Sequence, residues 1–247
     1  MEQQTTPHQQ DPIIVPEKKA SSISVPYAII TAGLLIAIAL FMSKGHGTTP
    51  PTTQVKDTSP TVTTPAKEVT VLPTDYVRGD ITKAQVVIVE YSDSDCPYCQ
   101  RFHATMKDVL QKYGTTVAWV YRSFPLSIHP DAQNEAIALE CSGQLGGNDV
   151  FWKYLDEVID ITVSPDKSAG VLTSTATALG IDQKAFTACL SSPATAKKVT
   201  QQASDAQALG AQGTPYSIAI NKKGVQTAIP GAYPIEEMIK TIDELLK

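Results

Sequence analysis

The chain has 247 residues, of which 42% are hydrophobic, and its formal net charge is −5 at pH 7. This length fits one ordinary domain with additional segments. The negative net charge gives no reason to expect nucleic acid as a partner, and the sequence has no basic patch that would suggest one. Two of the four cysteines stand at C-x-x-C spacing.

The N-terminal part of the chain lacks the pattern of a folded core. Residues 1–24 are polar, and this composition predicts a disordered tail. Residues 25–42 carry no charge, and their number is near the lower limit for a helix that spans a bilayer. We interpret this stretch as a transmembrane anchor. A cleaved signal peptide is the alternative, although the residues that follow offer no clear small-x-small cleavage site.

Lysines on the two sides of the predicted anchor indicate its orientation. Lys18 and Lys19 precede it and Lys44 follows it, so the two-lysine side is expected in the cytoplasm and the bulk of the chain outside. Residues 43–68 are rich in Thr and Pro, which predicts a semi-extended linker. The sequence therefore predicts a single-pass protein of the cell membrane whose folded domain, residues 69–247, is extracytoplasmic.

The folded domain begins with an apolar strand that leads into the C-x-x-C motif. Residues 85–91 are rich in Val and Ile and predict a buried strand, and the Cys-Pro-Tyr-Cys sequence of residues 96–99 follows it. Pro97 suits the first turn of a helix, so Cys96 is expected at or near the N-cap, where free N–H groups and the helix dipole lower a thiol pKa. This arrangement favours Cys96 as the exposed attacking thiolate and Cys99, one turn further in, as the resolving thiol of disulfide exchange.

Two other uses of this cysteine pair stay open at this point. One is a purely structural disulfide. The other is half of a zinc site, which would want a second close pair of ligands, whereas Cys141 and Cys189 stand far apart. We therefore expect neither a metal nor another cofactor.

The rest of the chain has the pattern of an α/β domain with a helical insertion. Residues 116–121 predict a second strand, parallel to the first because a crossover helix joins them. Residues 130–209 have helical patterns with several capping signals. Residues 216–229 predict a β-hairpin, and an amphipathic helix is predicted over residues 234–246.

Residues 69–247 resemble the DsbA-like branch of the thioredoxin superfamily. The resemblance rests on three stretches, which are Val-Glu90-Tyr-Ser-Asp before Cys96-Pro-Tyr-Cys99, Phe124-Pro-Leu-Ser-Ile-His-Pro130 and Gly213-Thr-Pro215. It implies an α/β thioredoxin fold whose inserted helical subdomain covers about residues 130–209. It also implies a thiol-disulfide oxidoreductase that donates a disulfide to reduced or misoxidised exported proteins. A membrane quinone-linked partner would then reoxidise the cysteines.

Glu90 is an anomaly, since this carboxylate comes just after the apolar run. Burial would disfavour its charged form and raise its pKa. The resemblance implies a buried acid that assists proton transfer at Cys99. The alternative is a strand end that faces solvent.

The resemblance also assigns roles around the motif. Thr214 and Pro215 resemble a cis-proline loop that faces the disulfide, in which the Thr214 backbone would pair with a substrate strand. Pro97 and Tyr98 form the dipeptide between the cysteines. Since DsbA proteins carry a histidine in place of Tyr98, the resemblance does not imply extreme acidity for Cys96.

The remaining cysteines and two histidines have more ordinary interpretations. Cys141 and Cys189 occupy apolar faces of predicted helices. Outside a reducing cytosol they could bridge, and the family often has a second disulfide in its insertion; two buried free thiols are the alternative. We interpret His103, on the outer course of its helix, and His129, before a helix start, as structural.

Two other functions compete with a disulfide donor. A DsbG-like disulfide isomerase or reductase shares the Cys-Pro-Tyr-Cys motif and the Thr before the proline. That class has a structured dimerisation region where this chain has a linker. A tethered, thiol-dependent chaperone or binding module is the other alternative, and full biological activity in cysteine-to-serine variants would indicate it.

Overall fold

The computed structural model describes residues 65–162 and 168–247. The predicted tail (residues 1–24), the predicted anchor (residues 25–42) and all but the last four residues of the predicted linker lie outside this part of the chain. Within it, no helix combines the length and the apolar character that a bilayer crossing requires.

The described residues contain five strands, which form one mixed sheet. They are β1 (Tyr76–Arg78), β2 (Val86–Ser92), β3 (Val117–Ser123), β4 (Tyr216–Asn221) and β5 (Gln226–Pro230). Their spatial order is β1-β3-β2-β4-β5. β2 and β3 are parallel, as the crossover predicts, and the other neighbouring pairs are antiparallel. The strand that leads into the C-x-x-C motif therefore lies at the centre of the sheet.

Six α-helices are present in the same part of the chain. They are α1 (Pro97–Tyr113), α2 (Ala132–Thr162), α3 (Ala169–Ala178), α4 (Gln183–Leu190), α5 (Pro193–Ala208) and α6 (Ile235–Leu245). Helices α2 to α5 lie between β3 and β4 in the chain, so the predicted α/β class and helical insertion are confirmed. α2 bends at Gly147, whose φ of 81° and ψ of −174° are accessible to glycine.

β1 is a strand that the sequence pattern did not predict. Its three residues pair antiparallel with β3, with Tyr76 opposite Tyr121 and Arg78 opposite Trp119. Such a short edge strand has too few positions to show an alternating pattern. The other predicted elements lie within about two residues of their observed ends, which is the usual uncertainty of element boundaries.

The alternating side chains of β2 divide the core into two clusters. Val86 and Ile88 pack in a cluster with residues of α1, α2 and α6, whereas Val89 and Tyr91 pack with residues of α5 on the other face. Since side chains two positions apart share a face, Glu90 points toward the cluster that contains α1. The carboxylate is thereby directed beneath the helix that carries the cysteines.

A buried ion pair joins the start of the domain to β3. Arg122 in β3 donates to both carboxylate oxygens of Asp75, at 3.0 and 2.7 Å. It also donates to the Tyr91 hydroxyl at 2.6 Å and to the Thr70 carbonyl at 2.7 Å. The Arg122 and Asp75 side chains are only 6% and 3% exposed. These contacts hold the segment that leads into β1 against the folded domain.

Candidate active site

Cys96 occupies the N-cap of α1. Its φ of −84° and ψ of 122° are extended, and Pro97 stands in the first turn. The Cys96 N–H donates to the Asp93 carbonyl at 3.1 Å, and the Cys96 carbonyl accepts from Gln100 N–H at 3.1 Å. Cys96 and Cys99 are both free thiols. The structure therefore represents the reduced state of the pair.

The expected exposure of Cys96 is wrong. Cys96 is 4% exposed and Cys99 is 1% exposed, whereas Tyr98 between them is 58% exposed. Cys96 is covered because the loop before β4 lies over it, with the Thr214 carbonyl oxygen 3.7 Å from its Sγ. Both sulfurs thus lie beneath a surface on which Pro97 and Tyr98 of the motif are exposed.

The surroundings of the two sulfurs shift their pKa values in opposite directions. The hydrogen bond from the Cys99 thiol, aided by the backbone N–H groups of Cys99 and Tyr98, lowers the pKa of Cys96 to about 5 against the opposing effect of burial. Burial, the hydrogen bond with Cys96 and the charge of Glu90 raise the pKa of Cys99. This geometry fits an attacking thiolate at Cys96 and a protonated resolving thiol at Cys99.

Glu90 is a buried acid rather than a solvated strand end. It is 1% exposed, and its Oε2 accepts a hydrogen bond from Trp119 Nε1 at 2.8 Å. Burial raises its pKa to about 7, although hydrogen bonds from Ser92 and Trp119 lower it in part. Its charge acts on Cys99, so the two groups are near each other. A carboxyl group with a pKa near neutrality can both accept and return a proton at neutral pH.

The Thr214–Pro215 peptide bond is cis. The loop that contains it precedes β4 and faces Cys96 through the Thr214 carbonyl oxygen. A surface cleft beside the loop is lined by Gln212, Thr214, Pro215 and Tyr216 among others. The loop and the N-terminus of α1 together therefore border the sulfur of Cys96.

Asp93 and His129 are brought together beside the cysteines, which the sequence did not reveal. The Asp93 carboxylate accepts from Asp95 N–H at 2.9 Å, from Leu126 N–H at 2.8 Å and from His129 Nδ1 at 2.8 Å. The Asp93 N–H lies 3.5 Å from Cys99 Sγ. Both residues belong to stretches that carry the resemblance, but no spacing rule connects the turn after β2 with the loop after β3.

His103 differs from its expected position on the outer course of α1. It is 4% exposed, and its Nε2 contacts Asp156 Oδ1 at 2.7 Å. Burial lowers its pKa, although the hydrogen bond with Asp156 acts in the opposite direction. Asp156 also binds Arg78 of β1 at 2.7 Å. These contacts join α1, α2 and the sheet edge and fit the structural role predicted for His103.

Cys141 and Cys189 form a disulfide that is separate from the C-x-x-C pair. Their S–S distance is 2.03 Å, and the bond joins α2 to α4 across 48 positions of the chain. These sulfurs are therefore occupied, and they are neither free thiols nor partners of Cys96 and Cys99 in a zinc site.

Known proteins with similar sequences or folds extend these observations. A family model described as Thioredoxin matches residues 72–244, well over half of the chain. The structure of alpha-DsbA1 from Wolbachia pipientis is similar, with a TM-score of 0.63 and 21% identity, over 72% of this chain and 93% of that one. DsbA2 from Pseudomonas aeruginosa has a TM-score of 0.57 and 24% identity, over 71% and 97% of the two chains. The predicted thioredoxin fold of the DsbA-like type is confirmed.

Curated relatives match over a smaller part of their own length. The Na(+)/H(+) antiporter NhaA of Herminiimonas arsenicoxydans is 33% identical over 141 residues, which are 57% of this chain and 21% of the antiporter. The antiporter NhaA 1 of Mycolicibacterium vanbaalenii is 32% identical over 142 residues, 57% and 22% of the two chains. This chain thus spans about a fifth of the length of these relatives, and the likeness concerns only that part of them.

Proposed function

This chain belongs to the thioredoxin family and has the DsbA-like fold, and from that premise we propose that it donates the Cys96–Cys99 disulfide to other proteins. The observation that carries the proposal is the geometry of the pair, in which Cys96 is the N-cap of α1 beneath the cis-proline loop and Cys99 lies one turn further in. These surroundings shift the two thiol pKa values in opposite directions. The pKa of Cys96 is lowered to about 5, whereas that of Cys99 is raised. A stable thiolate at Cys96 favours the reduced form of the pair and therefore makes the disulfide an oxidant.

The first half of the reaction forms a mixed disulfide. A substrate thiolate attacks Sγ of Cys96, the Cys96–Cys99 bond breaks, and Cys99 leaves with the electron pair. Because Cys99 has a raised pKa, it takes up a proton. Glu90, with a pKa near 7 and a charge that acts on Cys99, is the proposed proton source.

The second half releases the product. Another substrate thiolate attacks the substrate sulfur of the mixed disulfide, and Cys96 leaves as the thiolate that its surroundings stabilise. The substrate gains a disulfide, and two electrons have moved to the Cys96–Cys99 pair. An external oxidant must then restore the pair, for which we propose a membrane quinone-linked partner.

We propose that this reaction takes place outside the cytoplasm on exported proteins. The uncharged stretch at residues 25–42 and the lysines before it support a membrane anchor with the folded domain outside. The Cys141–Cys189 disulfide also supports an oxidising compartment, where such bonds persist. The Thr/Pro-rich residues 43–68 would hold the domain away from the membrane.

A disulfide isomerase is the second candidate function, because Thr214 precedes a cis-proline beside a Cys-Pro-Tyr-Cys motif. The two functions require different redox states of the Cys96–Cys99 pair. The oxidised protein transfers its bond to a reduced substrate in the first case, whereas the reduced protein rearranges a wrongly paired substrate in the second.

The experiment mixes the oxidised full chain in detergent with a reduced, unfolded test protein that has two cysteines. The expected result is loss of the test protein's thiols with the wild-type chain and no transfer by Cys96→Ser. Cys99→Ser is mixed instead with the oxidised test protein, and its Cys96 thiolate should open that disulfide, release one thiolate and stay trapped as a mixed disulfide. The matched control replaces the other pair, Cys141→Ser with Cys189→Ser, and should still transfer. Transfer by Cys96→Ser at the wild-type rate would contradict the proposal. Rearrangement of a mispaired substrate by the reduced form alone would favour the isomerase.

A further inference from the structure

The Asp93 carboxylate organises the turn between β2 and α1. Its side chain is fully buried, and its two oxygens accept three hydrogen bonds. One comes from Asp95 N–H at 2.9 Å within the turn, and two come from the loop after β3, from Leu126 N–H and His129 Nδ1, each at 2.8 Å. These donors compensate for the burial of the carboxylate and tie the turn to that loop.

The backbone of the same residue contacts both cysteines. The Asp93 carbonyl accepts from Cys96 N–H at 3.1 Å, and the Asp93 N–H lies 3.5 Å from Cys99 Sγ. Asp93 therefore connects His129 to both cysteines, through its side chain on one side and its backbone on the other. A change in the His129–Asp93 contact acts directly on the segment that fixes the two sulfurs.

The charge of His129 is coupled to the groups around it. Burial by itself lowers the pKa of His129, but the hydrogen bond with Asp93 and the negative charges of Asp93, Cys96 and Asp95 raise it above its ordinary value. From α2, the buried Glu135 faces the same turn, where it accepts from Ser94 Oγ at 2.6 Å. Since the interaction of two charges is mutual, an imidazolium that Cys96 stabilises also stabilises the Cys96 thiolate.

We propose that His129 is a positioning residue of the active site, which holds the turn through Asp93 and supplies the positive charge that balances the Cys96 thiolate. The dipeptide Pro97-Tyr98 between the cysteines brings no positive charge of its own. Without His129, the buried Asp93 carboxylate would stand beside the sulfurs with no charged partner from the loop. The inference rests on the role of Cys96 in the proposed function.

The experiment titrates the thiolate absorbance of the full chain after selective reduction of Cys96–Cys99, and maps alkylation to Cys96 at each pH. His129→Gln keeps a donor toward Asp93 and removes the charge. We expect the Cys96 midpoint to rise by about half a unit to one unit, a threefold to tenfold loss of acidity. His129→Lys restores a positive charge and should bring the midpoint back toward the wild-type value.

The matched control is His103→Gln, which breaks a His–Asp contact of 2.7 Å on α1. Burial lowers the pKa of His103, so the neutral ring carries no charge to lose at neutral pH, and the Cys96 midpoint should not move. An unchanged midpoint in His129→Gln would overturn the proposal, as would an equal rise in His129→Gln and His129→Lys. If the Gln variant does not fold, His129→Asn takes its place as the uncharged variant with an amide donor, and an unchanged Cys96 midpoint in that variant overturns the proposal.

Failure of this inference can be distinguished from failure of the proposed function. If only the role of His129 is wrong, the wild-type chain still shows a lowered midpoint and predominant alkylation at Cys96. If the proposed function is wrong in its assignment of the attacking thiol, the wild-type chain itself labels mainly at Cys99.

Discussion

Replacing the buried Glu90 by Gln is expected to stabilise the domain at neutral and basic pH while slowing disulfide transfer. The pKa of Glu90 is about 7 in the folded state, against 4.5 as its ordinary value. The folded state thus holds this proton more tightly than the unfolded chain. The resulting penalty is absent below pH 4.5, grows through the interval and is complete above pH 7.

The size of this penalty follows from the difference between the two pKa values. About 2.5 units correspond to about 3 kcal/mol of stability lost at pH 8 relative to pH 4. Gln has the shape of protonated Glu, and its carbonyl oxygen can still accept the hydrogen bond from Trp119 Nε1. The variant should therefore match the parent near pH 4 and exceed its stability by about 3 kcal/mol at pH 8.

The assay is urea unfolding of both proteins at pH 4 and pH 8, in a background that carries Cys96→Ser and Cys99→Ser so that no thiol titrates. Glu157→Gln is the matched control for the loss of one carboxyl group, because Glu157 is exposed on α2. A second measurement follows the fluorescence of Trp119 against pH in a Trp152→Phe variant. The fluorescence should change with a midpoint near pH 7 as Glu90 ionises, and Glu90→Gln should abolish that change.

The catalytic part of this prediction uses the chain with all its cysteines. Removal of the proton donor and acceptor beside Cys99 should slow disulfide transfer by about tenfold or more. A Glu90→Gln variant with an unchanged transfer rate and the same pH profile of stability as its parent would refute the reasoning.

Two further predictions concern stability. Arg122→Ala should lower the free energy of unfolding in urea by about 3 kcal/mol, since it leaves the carboxylate of Asp75 buried without its charged partner. A loss below about 1 kcal/mol would contradict this prediction and mean that solvent replaces the arginine. Replacing Cys141 and Cys189 by Ala should cost up to about 4 kcal/mol through the entropy of the unfolded chain and leave disulfide transfer intact. Two alkylatable thiols at these positions in the unreduced wild-type protein would contradict the second prediction.

The local structure of the motif could be predicted from the sequence, because it depends on adjacent residues. Pro97 begins α1 and Cys96 is its N-cap, as the proline signal indicates. The parallel pairing of β2 and β3 follows from the helix between them. The exposure of Cys96 could not be predicted in this way, since it depends on a loop that begins more than a hundred residues later and places the Thr214 carbonyl oxygen over the sulfur.

Contacts between distant segments account for the other differences. The partner of Glu90 is Trp119 on a neighbouring strand, and the Asp93–His129 contact joins residues 36 positions apart. Hydrophobic periodicity assigns a side chain to a face of an element but does not identify the polar group that it meets there. The sequence therefore indicates only a structural role for His129, whereas in the structure it contacts the residue that fixes both cysteines.

The most direct test of the proposed function is the equilibrium of the Cys96–Cys99 pair of the full chain with glutathione. A thiol pKa of about 5 for Cys96 lies between the values of about 7 for thioredoxin and about 3.5 for DsbA, whose potentials are about −270 and −120 mV. A disulfide donor of this kind should therefore have a potential clearly above that of thioredoxin, toward that of DsbA, and the mixed disulfide with glutathione should form on Cys96. A potential at or below about −270 mV would identify a reductant and contradict the proposal.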